Sequence, residues 1–234
     1  MSILTQKTLK KRIEFTGVGI HSGIKGNLKI LPSPPNTGIS FVRTDLKKNN
    51  IIHANYKYVS NTTLCTTISN ENGVKVSTIE HLMGAFYGIG IDNAKVEIDT
   101  EEIPIMDGSA KCFVDQIRSA GIKSSDQPIK ILKINREIRV QENEKFIIIN
   151  KSNISSDIEF EIKYENKFIS VQRNKINIFE DKLENIFNSR TFCLYEDIEK
   201  LKKLNLGKGG SLENAIVVKE NEILNPGGLR NEKE

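Results

Sequence analysis

Val76-Ser77-Thr78-Ile79-Glu80-His81-Leu82-Met83-Gly84-Ala85-Phe86 has the pattern of a helix that begins within this stretch. Ser77 is a favourable N-cap, and Glu80 three positions later completes a capping-box pattern. Apolar residues recur at i, i+3, i+4 and i+7 and form one stripe, which consists of Ile79, Leu82, Met83 and Phe86. At about 100° per residue, Glu80 and His81 point away from that stripe. We therefore expect a carboxylate and an imidazole side by side at a helix start, off the core face.

The Glu80-His81 pair has two interpretations. In the first, His81 binds a metal and Glu80 is the base that works on the metal's water. In the second, Glu80 only completes the capping box and His81 is a solvated surface histidine. Both interpretations stay open on these residues alone, because an adjacent Glu-His pair is a weak signal.

Composition indicates a soluble globular protein. The chain has 234 residues, enough for two modest domains or one large one, with 38% hydrophobic and 27% charged residues. Its net charge of +4 is mildly basic and suits an anionic ligand slightly. No stripe of Lys and Arg interleaves with aromatic residues, so we predict no nucleic-acid partner.

Cysteine usage and the termini predict a cytoplasmic protein. Cys65, Cys112 and Cys193 lie far apart and form no CxxC pair, which indicates free thiols in a reducing compartment. The segment 1–13 is polar and basic, without the apolar region of a signal peptide. The longest aliphatic run, at 146–149, is far too short to span a membrane, so we expect no stable membrane insertion.

The first half of the chain reads as short strands joined by turns, followed by a helix. Residues 16–23 carry three glycines around His21, which fits either a loop that approaches a ligand closely or a hairpin turn. Further strands are predicted at 65–68, 74–76 and 94–98. They surround the predicted helix at 77–87.

A second helix and a linker are predicted after residue 103. Asp107-Gly108 is a turn signal, and Ser109 is placed to cap a helix from Ala110 to Ala120 that Gly121 ends. The polar segment 124–128 contains a proline and separates two periodic stretches. We interpret it as a linker between domains 1–126 and 127–234.

The second half also runs from strands to helices. Strands are predicted at 129–149 and 157–163, a helix at 179–188, a charged amphipathic helix at 195–204 and a buried strand at 215–218. Ile198, Leu201 and Leu204 fall on one side of that amphipathic helix. Strands first and helices later in both halves predict an α+β fold.

Several motifs together identify a family. In chain order they are TGVGIHS at 16–22, Thr37-Gly38, Arg43-Thr44-Asp45, TLCT at 63–66, STIEHL at 77–82, GIGIDN at 88–93, PIMDGSA at 104–110, SRTF at 189–192, Gly209-Gly210-Ser211 and NAIVV at 214–218. From about residue 5 to about residue 230 the chain resembles the UDP-3-O-acyl-N-acetylglucosamine deacetylases. These zinc amidases catalyse the committed step of lipid A biosynthesis. Each motif is modest by itself, and the ordered set is highly specific.

The resemblance implies an α+β two-domain sandwich, in which each domain has a sheet and the helices pack between the two sheets. It also implies an insert at about 193–222 that forms a hydrophobic passage for the substrate's acyl chain. The apolar residues that fit such a lining are Ile198, Leu201, Leu206, Ile216 and Val217. An ordinary small-domain core explains each of them nearly as well.

The resemblance also implies chemistry. His81 would bind one Zn2+ per chain, Glu80 would be the general base, and Thr191 would stabilise the developing oxyanion while acetate is released from the N-acetyl amide. Asp107 and Asp197 would be supporting polar residues, with a purely structural turn or cap role for Asp107 at least as well founded. The substrate contacts that the family implies are His21, Leu64, Cys65, Phe192, Ile198, Gly210, Ser211 and Val217.

One departure from the family concerns the metal. The family's other two zinc ligands lie in a His-Lys-x-x-x-Asp helix that follows the segment matching Gly228-Leu229-Arg230, and they are absent from this sequence, as is a later histidine that acts as general acid. We therefore expect a sequence interrupted before that helix, with an incomplete second domain. The alternatives are a truncated relative that binds a UDP-sugar or acyl ligand without catalysis, and a non-functional fragment. The expected partner is the small-molecule substrate, and the expected state is a monomer.

Overall fold

The computed structural model describes residues 4–152, 156–232 and 234. Within them lie four α-helices: α1 (Glu80–Ile89), α2 (Lys111–Ala120), α3 (Glu184–Asn188) and α4 (Ile198–Lys203). The first nine strands are β1 (Thr5–Leu9), β2 (Ile13–Val18), β3 (Lys25–Pro32), β4 (Ile39–Arg43), β5 (Ile51–His53), β6 (Val59–Asn61), β7 (Thr67–Ser69), β8 (Lys75–Val76) and β9 (Ala94–Ile98). The others are β10 (Ile122–Pro128), β11 (Ile138–Glu142), β12 (Lys145–Ile149), β13 (Asp157–Lys163), β14 (Val171–Asn177), β15 (Phe192–Leu194), β16 (Ile216–Lys219) and β17 (Glu222–Ile223). The predicted α+β class is confirmed.

The chain divides into two compact units, one made of residues 1–128 and 184–234 and the other of residues 129–183. The first unit is built on a five-stranded sheet in the order β2-β3-β9-β4-β5. Its pairs are antiparallel except β4 with β9, which is parallel. Alternation of buried and exposed residues along β3 and β9 gives the sheet one apolar face.

Helices α1 and α2 pack together in the first unit, and α2 also packs on β2. The rings of Phe15 and Phe113 meet edge to face with centroids 5.1 Å apart. Of the stripe predicted on α1, Leu82 and Phe86 are fully buried, Ile79 nearly so and Met83 half-buried. This apolar contact holds the start of α1 in place.

A buried arginine forms an ion pair at the end of β4. Arg43, at the end of β4, donates to both carboxylate oxygens of Asp45 at 2.8 and 2.6 Å and to the carbonyl of Lys75 at 2.9 Å. The Arg43 side chain is 6% exposed. The guanidinium holds the pKa of Asp45 below its ordinary value.

The second unit consists of two antiparallel hairpins, β11 with β12 and β13 with β14. Most of its large apolar side chains that the structure describes are exposed, whereas Ile169 and Leu183 are buried. Residues 129–137, which were predicted as strand, contain no strand.

Among the residues that the structure describes, no helix is both long and apolar enough to cross a membrane.

Three further predictions about local structure are wrong. Ser77 does not cap α1, which begins at Glu80, because the Ser77 hydroxyl donates instead to the carbonyl of Glu101 at 3.2 Å. The predicted linker at 124–128 belongs to β10, which pairs with β1. The helix predicted at 179–188 begins only at Glu184. The helix predicted at 195–204 is confirmed in outline, because a 3₁₀ turn at Tyr195–Asp197 continues directly into α4, although Leu204 is 58% exposed.

The other local predictions are confirmed in outline. In the glycine-rich segment 16–23, residues 16–18 end β2, and the remaining residues belong to the turn between β2 and β3. The N-cap of α2 is Ala110 and not Ser109, although the Ser109 hydroxyl accepts a hydrogen bond from the amide of Lys111 at 3.2 Å. Gly121 ends that helix with φ +79, as predicted. β9 has the predicted bounds. The division into domains 1–126 and 127–234 stays a prediction.

Candidate active site

Glu80 is the first residue of α1 and is oriented by a backbone amide. Its Oε2 accepts a hydrogen bond of 3.0 Å from the N–H of Thr66, just before β7. The amide of Ile79 also donates to the carbonyl of Thr66, at 3.4 Å. The carboxylate is half-buried and is fixed against the segment 64–66.

His81 follows on the same turn and is half-buried. Burial lowers its pKa below the ordinary value, and the negative charges of Glu80 and Asp107 oppose this effect. The lowered pKa favours the neutral imidazole, and a neutral imidazole nitrogen is the form that ligates a metal. The interaction with Asp107 connects α1 to the turn that precedes α2.

Asp107 is fixed in that turn. Its Oδ1 accepts from the amide and the hydroxyl of Ser109 at 3.2 and 2.9 Å, and its Oδ2 lies 2.9 Å from a guanidinium nitrogen of Arg230. Burial acts to raise the pKa of Asp107, but these hydrogen bonds and the Arg230 charge lower it below its ordinary value. Asp107 is thus both a turn residue and a charged neighbour of His81.

Thr191 lies beside this turn. Its amide donates to the carbonyl of Gly108 at 2.8 Å, and its own carbonyl accepts from the amide of Ile216 at the same distance. Gly108 has φ +84, and a Cβ there would lie 2.1 Å from the carbonyl oxygen of Asn214. Only glycine fits this crossing of three segments. The structure therefore brings Thr191 to the same turn that interacts with His81.

His21 and Cys65 form a second pair of neighbours. The hydrogen-bonded thiol of Cys65 raises the pKa of His21, and the imidazole in turn lowers the pKa of Cys65. His21 Nδ1 is buried without a hydrogen-bond partner. The hairpin turn that carries His21 also contacts the 207–211 turn, because the amide of Gly209 donates to the carbonyl of Ile20 at 3.0 Å.

The structure unites some of the remaining predicted residues and leaves others apart. Leu64 is 60% exposed, has φ +60 and adjoins Cys65. Phe192 begins β15 directly after Thr191, and Gly210 and Ser211 belong to the exposed turn beside His21. Ile198 begins α4, and Val217 is 8% exposed in β16 opposite Cys193. These contacts do not link Ile198 or Val217 to Glu80.

Sequence reasoning missed Glu102 and Thr78. Glu102 is 4% exposed, although it ends the acidic run 99–102, which by composition is typical of a solvated loop. Thr78 is 2% exposed and has φ +57, a conformation unusual for a β-branched residue. No local signal in the sequence distinguishes Glu102 from the exposed Glu101.

His81 can provide one ligand of a zinc site. His81 offers a neutral imidazole, and Glu80 is beside it in the chain. Within residues 4–152, 156–232 and 234, no group of three His, Cys, Asp or Glu side chains lies close enough to hold a metal ion. These residues alone do not form a complete zinc site.

A carboxylate and an imidazole at one helix start can serve as a general base and as a metal ligand, the two groups that metal-dependent hydrolases use. The comparisons with known proteins narrow that class. Residues 6–234 match the sequence model of the family described as LpxC, UDP-3-O-acyl N-acetylglycosamine deacetylase, and the chain belongs to this family of enzymes.

Curated relatives agree with this assignment. A UDP-3-O-acyl-N-acetylglucosamine deacetylase from Shewanella oneidensis is 44% identical over 235 aligned positions, which cover 99% of this chain and 76% of the relative. The proteins of the same name from Shewanella sp. strain W3-18-1 and Shewanella baltica strain OS155 are 45% and 44% identical with the same coverage.

Proposed function

We propose that the protein hydrolyses the N-acetyl amide of UDP-3-O-acyl-N-acetylglucosamine and releases acetate, as a step of lipid A biosynthesis. The observation that carries the proposal is the Glu80 carboxylate, oriented by the Thr66 amide, beside the half-buried His81 at the start of α1. The names of the relatives, which match over 99% of this chain, supply the substrate.

Glu80 is the proposed general base. The hydrogen bond from Thr66 fixes Oε2, which orients Oε1. In this role the carboxylate takes a proton from the attacking water, a contribution of about 10²–10⁴ in rate for a well-placed base. A carboxylate is a weak base at neutral pH, so the water needs further activation.

We propose that His81 provides one ligand of a single zinc ion per chain. Zinc supplies Lewis acidity toward water and the amide carbonyl when it is bound. The burial that keeps His81 neutral favours this role. The further ligands are not among the described residues.

Thr191 is the proposed oxyanion-stabilising residue, supported by its fixed place at the Gly108 carbonyl. We assign the sugar and the mouth of the acyl site to the group His21, Leu64, Cys65, Phe192, Gly210 and Ser211. Ile198 and Val217 are assigned to the acyl chain. The three free cysteines fit action in the cytoplasm, and we infer a monomer.

The test is acetate release from UDP-3-O-acyl-N-acetylglucosamine by protein purified from its native source. Its intact mass is measured first, because a mass above 26.4 kDa would identify further residues as the source of the missing ligands. We expect Glu80→Gln to lower kcat by about 10²–10⁴ while the protein stays folded. We expect His81→Ala to lose zinc, measured by elemental analysis.

The matched control is Glu14→Gln, which changes an exposed carboxylate on β2 and should leave turnover unchanged. Turnover that survives Glu80→Gln would overturn the role of Glu80. Wild-type protein that binds the substrate in calorimetry but releases no acetate would support the alternative function, a non-catalytic protein that binds the UDP-sugar or its acyl chain.

A further inference from the structure

Glu102 is a buried carboxylate held by three neutral donors. The amides of His21 and Ser22 donate to Oε1 and Oε2 at 2.9 and 2.7 Å, and the hydroxyl of Thr78 donates to Oε1 at 2.9 Å. No Lys or Arg among the described residues forms an ion pair with it. A buried charge without a countercharge is unfavourable unless such hydrogen bonds satisfy it.

These bonds connect two segments that are far apart in sequence. His21 and Ser22 belong to the hairpin turn between β2 and β3, whereas Thr78 lies two residues before Glu80. Packing is tight, because a Cβ on Gly19 would lie only 2.2 Å from Oε2 of Glu102. The Glu102 backbone is also fixed, since it forms a parallel bridge with Ser77.

A third segment, residues 64–66, also connects the β2–β3 turn to the start of α1. The imidazole of His21 and the thiol of Cys65 lie near enough for each to shift the pKa of the other, and the next residue, Thr66, donates its amide to the Glu80 carboxylate. The path therefore runs from Glu80 through the segment 64–66 to His21, and from there to Glu102. The Thr78 hydroxyl closes it back to the start of α1.

We propose that Glu102 is a positioning residue that closes this ring of contacts and thereby fixes the direction of the Glu80 carboxylate. It acts through Thr78 on one side and through His21 on the other, and it does not touch the reacting atoms. The inference rests on the proposed function, because positioning matters only if Glu80 is the base. A displacement of about 1 Å at a catalytic group can lower a rate by about 10²-fold.

The test compares Glu102→Gln with Glu101→Gln. Glutamine keeps the shape of the side chain but turns an N–H toward at least one of the three donors, which breaks that bond. Glu101 is the neighbouring residue, and its side chain is 56% exposed. We expect Glu102→Gln to lower kcat by about 10- to 100-fold per folded molecule, with KM within about twofold, and Glu101→Gln to retain both values.

Thr78→Val provides a second route to the same bond, should Glu102→Gln fail to fold. It removes the hydroxyl with little change in shape, and Thr78→Ser retains it. We expect Thr78→Val to lower kcat, Thr78→Ser to restore most of it, and the double variant to be no slower than Glu102→Gln alone. Unchanged kcat in Glu102→Gln, or effects of the two substitutions that multiply, would overturn the inference.

A readout that needs no turnover separates this inference from the proposed function. Hydrogen exchange of the Thr66 amide reports the hydrogen bond to Glu80 directly. We expect faster exchange in Glu102→Gln and wild-type exchange in Glu101→Gln. If wild-type protein releases no acetate, the proposed function fails, and equal Thr66 exchange in both variants would separately show that Glu102 does not hold the ring.

Discussion

The ion pair between Arg43 and Asp45 shows how a single buried charge ties stability to pH. Asp45→Asn leaves the guanidinium buried with one partner fewer, so we expect a loss of about 2 kcal/mol in the free energy of unfolding at pH 7. Arg43 lowers the folded-state pKa of Asp45 below the ordinary 3.8. The contribution is therefore complete above pH 3.8 and disappears as pH falls through the lowered pKa. Urea unfolding between pH 7 and pH 3 measures it.

Asp126→Asn is the control for that measurement, because Asp126 is an exposed carboxylate on β10. It should change the free energy of unfolding by less than about 0.5 kcal/mol at every pH. Equal stability of wild type and Asp45→Asn at pH 7 would show that the ion pair makes no net contribution.

Strand β10 shows how distant pairing turns a polar segment into regular structure. It pairs antiparallel with β1, with Thr5 opposite Pro128 and Leu9 opposite Ile122. We expect the amides of β10 that face β1 to exchange slowly with deuterium, whereas those of 129–137, which contain no strand, exchange quickly. Hydrogen exchange followed by mass spectrometry resolves the two peptides. Equally fast exchange in both would mean that residues 122–128 behave as a linker.

The two compact units differ in how much apolar surface they bury. In the unit 129–183, large side chains on the hairpins are exposed, with Phe146, Ile147 and Phe160 at 58%, 68% and 63%. Isolated hairpins are marginally stable in water. Thermolysin, which cleaves before bulky apolar residues, should therefore cut first within 129–183, as read by the masses of the early fragments. First cuts within β9, whose Val96 and Ile98 are fully buried, would contradict this expectation.

The features that sequence predicted well depend on neighbouring residues in the chain. The apolar stripe of α1, the strand β9 and the end of α2 at Gly121 each follow from a local period or from one conformationally special residue. The Glu80-His81 pair was found in the same way. The family resemblance then gave these residues their roles, and those roles stay predictions.

The features that sequence missed depend on partners far away in the chain. Ser77 looks like a cap, but the structure pairs it with Glu101 and Glu102, more than twenty residues later. Segment 124–128 looks like a linker because it is polar and contains a proline, but in the structure it pairs with β1, more than 100 residues earlier in the chain. Glu102 looks solvated because its neighbours in sequence are acidic, but its hydrogen-bond donors come from the β2–β3 turn and from Thr78. A local pattern contains no information about such contacts.

The structure at position 78 is compatible with few residue types. Its left-handed backbone favours glycine or asparagine, whereas its bond to Glu102 demands a side-chain donor. Glycine satisfies the first demand and valine satisfies neither. A library randomised at this codon and sorted for turnover should therefore return few residue types, chiefly threonine, serine and asparagine. Thr78 thus limits how the sequence around the Glu80-His81 pair can diverge.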